Sequence, residues 1–141
     1  MFGTVAGHMS RPEALGLERT FAPGFDSARE ARRFACEAAR MLGVEDRSDG
    51  LDRVEALVGE MAVNAVLHGR TDYSVAVSAP RSGVIRIELS DGNHELPRRK
   101  SATGDDVLMH GRGLHLIDAL ADRWGVVSRA DGKCVWAEVR L

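Results

Sequence analysis

From Leu57 to Leu67 the chain reads Leu-Val-Gly-Glu-Met-Ala-Val-Asn-Ala-Val-Leu, interrupted only by the polar residues Glu60 and Asn64. As a helix this stretch is apolar nearly all round, and such a helix is stable in water only when other elements cover it on several sides. The fold must supply that cover and must also accommodate the two polar groups. They stand four residues apart, and His68 continues the line. At the helical repeat the three side chains fall within about an 80° arc. That arc borders the stripe of Val54, Val58, Met61 and Ala65. A carboxylate beside a core is costly unless it has partners or a wet pocket. Two arrangements meet that need. Glu60 pairs with an arginine while Asn64 bonds to backbone, or both face a pocket where metal, water and phosphate are the partners.

The covering elements follow from the pattern. Leu17-Glu18-Arg19-Thr20-Phe21 alternates and stops at Pro23-Gly24, which predicts an edge strand. Ser27, three residues before Glu30, has the form of a capping box. Ala31, Phe34, Ala35, Ala38 and Leu42 then recur at helical spacing up to Gly43, a fit for a left-handed cap. The apolar helix runs from about Asp49 to His68, with Gly69 as its stop. Tyr73 to Ala79 and Val84 to Ser90 alternate around the turn Pro80-Arg81-Ser82-Gly83. Asp91 to Met109 is polar, aperiodic and holds Gly92, Pro97 and Gly104, as in a functional or disordered loop. A short helix over Leu114 to Arg123 precedes a last strand pair, Trp124 to Ser128 and Cys134 to Leu141. Strands grouped apart from helices predict an α+β fold: a two-layer sandwich with helices on one face of a mixed, mostly antiparallel sheet.

The 141 residues suit one domain, expected over residues 15–141. Residues 1–14 are expected to form a disordered segment, in which Gly7-His8-Met9 has the form of a cloning remnant. A formal charge of −2 gives no general drive toward nucleic acid or an anionic membrane. No apolar run approaches the roughly 20 residues that span a bilayer. No leader pattern opens the chain, so a cytoplasmic protein is the expectation. Cys36 and Cys134 are too few and too far apart for a disulfide framework or a zinc site, and are read as small buried apolar residues.

Two further features bear on chemistry. Asp91-Gly92 directly follows a strand, where a carboxylate can accept a hydrogen bond from an amino group and the glycine lets backbone approach a ligand; most such pairs are plain turns. His110-Gly111-Arg112-Gly113-Leu114 stands between the polar loop and a helix. Exposed N–H groups and the helix dipole there favour an anion, although a hinge or an ordinary turn uses the same residues.

In this order the motifs resemble the Bergerat (GHKL) ATP-binding fold, from about Leu17 to Leu141. The wording is closest to the short bacterial anti-sigma factor serine/threonine kinases: Gly59-Glu60-Met61-Ala62-Val63-Asn64-Ala65-Val66-Leu67-His68-Gly69, then Gly111-Arg112-Gly113-Leu114-His115-Leu116-Ile117-Asp118, then Gly132-Lys133-Cys134-Val135-Trp136. The resemblance implies ATP and Mg²⁺ as cofactors. It implies that Glu60 activates the attacking hydroxyl, that Asn64 is the metal ligand with His68 one turn on, and that Asp91 with Gly92 reads adenine. Gly111, Arg112, Gly113 and Leu114 would cradle the phosphates, under a lid from about Asn93 to His110. The implied partners are a sigma factor and a STAS-type antagonist that receives phosphate on serine, with no direct nucleic acid and no membrane. A homodimer through the first strand and helix is implied as well. An ATP-binding partner switch without kinase activity is the alternative. A histidine kinase's phosphoacceptor hairpin finds no room in the chain, and neither does the transducer domain of gyrase-type ATPases. Two departures stand out: Asn93-His94-Glu95 follows Gly92 where the family has a further glycine, and Cys134 stands where a nucleotide-facing threonine is expected.

Overall fold

A computed structural model of the chain describes residues 15–93 and 112–141. The proposed N-terminal segment 1–14, the lid from residue 94 onward and Gly111 lie outside the described residues. Of Arg112, Gly113 and Leu114 only the helical backbone is described.

The chain runs β1 (Leu15–Phe21), α1 (Ser27–Met41), α2 (Asp49–Asn64), a π-helical turn (Ala65–Gly69), β2 (Tyr73–Arg81), β3 (Val84–Asp91), α3 (Arg112–Leu120), β4 (Arg123–Arg129) and β5 (Gly132–Arg140). The strands form one sheet in the order β1-β2-β3-β5-β4. Every pairing among the described residues is antiparallel, so the sheet is uniform where the sequence suggested a mixed one. The α+β class and the one-sided helical layer stand as expected, and β1 lies at an edge.

Alternation sorts the sheet into two faces. Val75, Val77, Ile85, Ile87, Leu89, Val135, Ala137 and Val139 point into the core shared with the helices. α2 answers with Val54, Leu57, Val58, Met61 and Ala62, all buried. α1 presents small residues, Ala31, Ala35, Ala38 and Ala39, and so packs closely beside it. The two helices nearly touch at Gly59, where a Cβ would stand 3.0 Å from Cδ of Arg32.

Helix ends differ from the sequence reading in two places. The capping box at Ser27 does not form: Asp26 precedes the helix without a side-chain cap, and Ser27 is its buried first residue. The Ser27 hydroxyl donates to Gly24 O at 2.8 Å and accepts from the Tyr73 hydroxyl at 2.8 Å. A buried tyrosine must place its O–H, and that need claims the serine. The side-chain cap falls instead on α2, where Ser48 Oγ accepts from the Leu51 amide at 3.1 Å. At the far end of α2 the left-handed residue is Arg70 (φ +57°), one beyond Gly69, because the helix widens into its π turn before stopping. Gly43 does end α1 as read. It has φ +104°, its amide donates to Arg40 O, and Val44 N–H reaches back to Ala39 O, closing a Schellman motif.

Candidate nucleotide site

The end of α2 and one end of the sheet converge. Tyr73, Asp91 and Lys133 are opposite one another across β2, β3 and β5. The π turn leads directly into β2, so the helix end carrying Asn64 and His68 stands at this same sheet end. A π turn inserts a residue into the helical ladder, and such turns recur at functional sites.

The convergence is tied by hydrogen bonds. Asn93 Nδ2 donates to His68 O at 2.6 Å, which joins the strand exit to the helix end. The Gly92 amide donates to Thr71 Oγ1 at 3.0 Å, and that hydroxyl donates to Asp72 O. Asp91 Oδ1 accepts from the Asn93 amide at 2.9 Å and from Lys133 Nζ at 3.0 Å. Lys133 Nζ also reaches Asn93 O at 3.2 Å. Asn93, part of the departure from the family pattern, therefore braces this corner from three of its groups.

Glu60 and Asn64 are both half-buried in the last turns of α2. Among the described residues neither side chain has a hydrogen bond or an ion pair, so the arginine and backbone partners of the plainer reading are not found. His68 is exposed in the π turn. α3 packs on α2 through Ile117, and Arg53, early in α2, donates twice to Leu120 O at the end of α3.

The cysteine expected to face the site does not. Cys134 is paired with Ser90 on the opposite side of the sheet, where burial pushes its thiol pKa up. Lys133 occupies the site-facing position, and sequence reasoning missed it. The only signal was its place in the Gly132-Lys133 start of a strand, which means little until the register with Asp91 is known. Gly132 completes the corner: at φ +149° its backbone lies so close to β3 that a Cβ would fall 1.8 Å from Asp91 O. Gly92 has more room, with Thr71 3.5 Å from where a Cβ would stand.

The described residues hold no helix long and apolar enough to cross a membrane. They also hold no cluster of three or more His, Cys, Asp or Glu suited to a metal. Both cysteines are buried and free, as read.

No curated protein matches the chain. Among solved structures it is similar to the crystal structure of the RsbU and RsbW domains of Rv1364c from Mycobacterium tuberculosis, with a TM-score of 0.67 and 21% identity. That match covers 90% of this chain and 32% of the other, so the chain spans about a third of that protein's length. A family model described as the histidine kinase-like ATPase domain matches residues 21–139. With most of its length inside that match, the chain belongs to the histidine kinase-like ATPase domain family.

Proposed function

We propose that this domain binds ATP with Mg²⁺ and acts as an anti-sigma factor serine/threonine kinase, transferring phosphate to a serine of a STAS-type antagonist. The observation that carries the reading is the pair Glu60 and Asn64, without a partner among the described residues, on a helix end bonded through Asn93 and His68 O to the strand end bearing Asp91.

The residues fit the roles the sequence resemblance implies. Mg²⁺ prefers oxygen ligands and takes few from protein when phosphates and water supply the rest. A single amide oxygen from Asn64 suits that preference, and the bound ion would neutralise phosphate charge. Glu60, one turn earlier and half-buried, would take the proton of the attacking serine hydroxyl. Asp91 with Gly92 would receive the adenine amino group. Gly111 and Gly113, with backbone near Arg112 and Leu114, would hold the phosphates at the start of α3, His68 lying alongside. Phosphoryl transfer relies mainly on positioning and charge stabilisation, so a sparse set suffices. The sigma factor would dock on the same domain, and release would follow partner exchange. Residues 15–141 act as the one domain in this reading.

Incubation with Mg-ATP and a cognate STAS protein should give phosphoserine on the STAS protein, and Glu60→Ala should lower the transfer rate at least about a hundredfold. Intact transfer by Glu60→Ala would remove the carboxylate from the mechanism. The alternative reading is an ATP-dependent partner switch without transfer. Under it ATP would tighten partner binding while no phosphoserine forms.

A further inference from the structure

Asp91 and Lys133 form a buried pair with hydrogen-bonding capacity to spare. Their side chains are only 3% and 8% exposed. Among the described residues both bonds to the carboxylate fall on Oδ1, one from Lys133 Nζ and one from the Asn93 amide. An ammonium has three N–H donors, and the described residues use two of them, on Asp91 Oδ1 and Asn93 O. An acceptor, Oδ2, thus stands beside a donor, the third N–H, and neither meets a partner among the described residues. Neither atom is a fully buried orphan, and spare capacity of this kind on a nearly buried pair suits a ligand that presents the opposite pair.

We propose that Lys133 reads the nucleotide base directly and helps to set its specificity for adenine. The inference rests on the ATP-binding reading above. Adenine presents an amino donor, N6, next to a ring acceptor, N1. Asp91 Oδ2 accepts from N6 while Lys133 Nζ donates to N1. Guanine offers the acceptor O6 and two adjacent donors, N1 and N2. With Oδ1 already occupied, Asp91 has one oxygen left, so the second guanine donor goes unmet in a buried corner. Gly132, pressed against Asp91 O, fixes the register that puts Lys133 there.

The test is calorimetric titration of the full chain with Mg-ATP, with Mg-GTP and with 1-deaza-ATP, in which N1 is replaced by C–H. The wild type should bind 1-deaza-ATP and GTP each about tenfold or more weakly than ATP, as expected for loss of one charge-assisted bond. Lys133→Met should bind ATP and 1-deaza-ATP equally. Equal affinity of the wild type for ATP and 1-deaza-ATP, or discrimination that survives in Lys133→Met, overturns the role of Lys133 while ATP binding stands. GTP bound as tightly as ATP overturns the adenine selection. A wild type that binds none of the three overturns the ATP reading itself, and this inference with it. Lys133→Met leaves Asp91 unpaired, so should it fail to fold, the analogue comparison in the wild type decides alone.

Discussion

Among the described glycines Gly132 has the least freedom to change. Its φ of +149° is one that side chains rarely adopt, and a methyl group there would overlap the Asp91 carbonyl. Gly132→Ala must push the start of β5 away from the end of β3, the place where Lys133 and Asp91 pair. The expected cost is at least about 2 kcal/mol, from strained backbone and a broken buried contact. Urea unfolding should show that loss, and ATP affinity should fall with it. Unchanged stability would mean that the two strand ends can separate freely. At this scale the sequence was informative about kinds of residue and poor about their partners. Alternation shows that Lys133 and Cys134 face opposite ways, yet only the pairing of Lys133 with Asp91 decides which of them faces the site. Ser27 and Ser48 both stand at helix starts; what separates them is Tyr73, 46 positions away from Ser27 in sequence, whose hydroxyl needs an acceptor. Glu60 and Asn64 were legible because polar groups are conspicuous on a helix that is otherwise apolar.

Among the elements, α2 is held at both ends by unlike means. Its far end is bonded through Asn93 to the candidate site, while its near end is clamped by a carboxylate outside it. Asp122 Oδ2 accepts from the Arg140 amide at 2.6 Å and from Arg53 Nη2 at 3.0 Å, so it joins α2 to the close of β5. The Arg140 amide bond, with help from Arg53, holds the Asp122 carboxyl pKa below its ordinary value despite some desolvation. A carboxylate depressed in the folded state adds stability above its unfolded pKa, and that stability is lost as pH falls through the folded value. Asp122→Asn should therefore melt below the wild type at neutral pH, with the two curves converging in acid. The gap should be small, since the side chain is about one-third exposed. A gap that persists unchanged below the carboxyl range would assign it to altered packing instead of charge. Element types and order were readable because each long stretch keeps one period. The π turn was not, since widening a helix by one residue leaves its apolar pattern almost intact.

In the whole molecule the sheet has one face under helices and another built on charge. On the second face Glu138 is bridged by Arg81, Arg86 and Arg123, and Arg86 lies 4.3 Å above the Trp136 ring. Burial opposes the charge of Arg86, but its bonds to Glu88 and Glu138 outweigh that and raise its pKa. Such a network keeps a two-sided sheet from depending on apolar cover alone. The edges are a different matter. β1 lies at one edge, and the chain leaving it carries Phe25, 98% exposed, while Met41 at the end of α1 is 73% exposed. An edge strand with an uncovered aromatic nearby is a natural seam for a second copy. The proposed homodimer through β1 and α1 would use it. Sedimentation at micromolar concentration should then give twice the single-chain mass of 15.3 kDa. Phe25→Asp should shift the protein toward that single-chain mass. Because Phe25 touches almost nothing within its own chain, the change should alter the stability of the isolated fold by no more than about 0.5 kcal/mol. A wild type that sediments as one chain would remove the dimer. A dimer indifferent to Phe25→Asp would move its seam away from this corner.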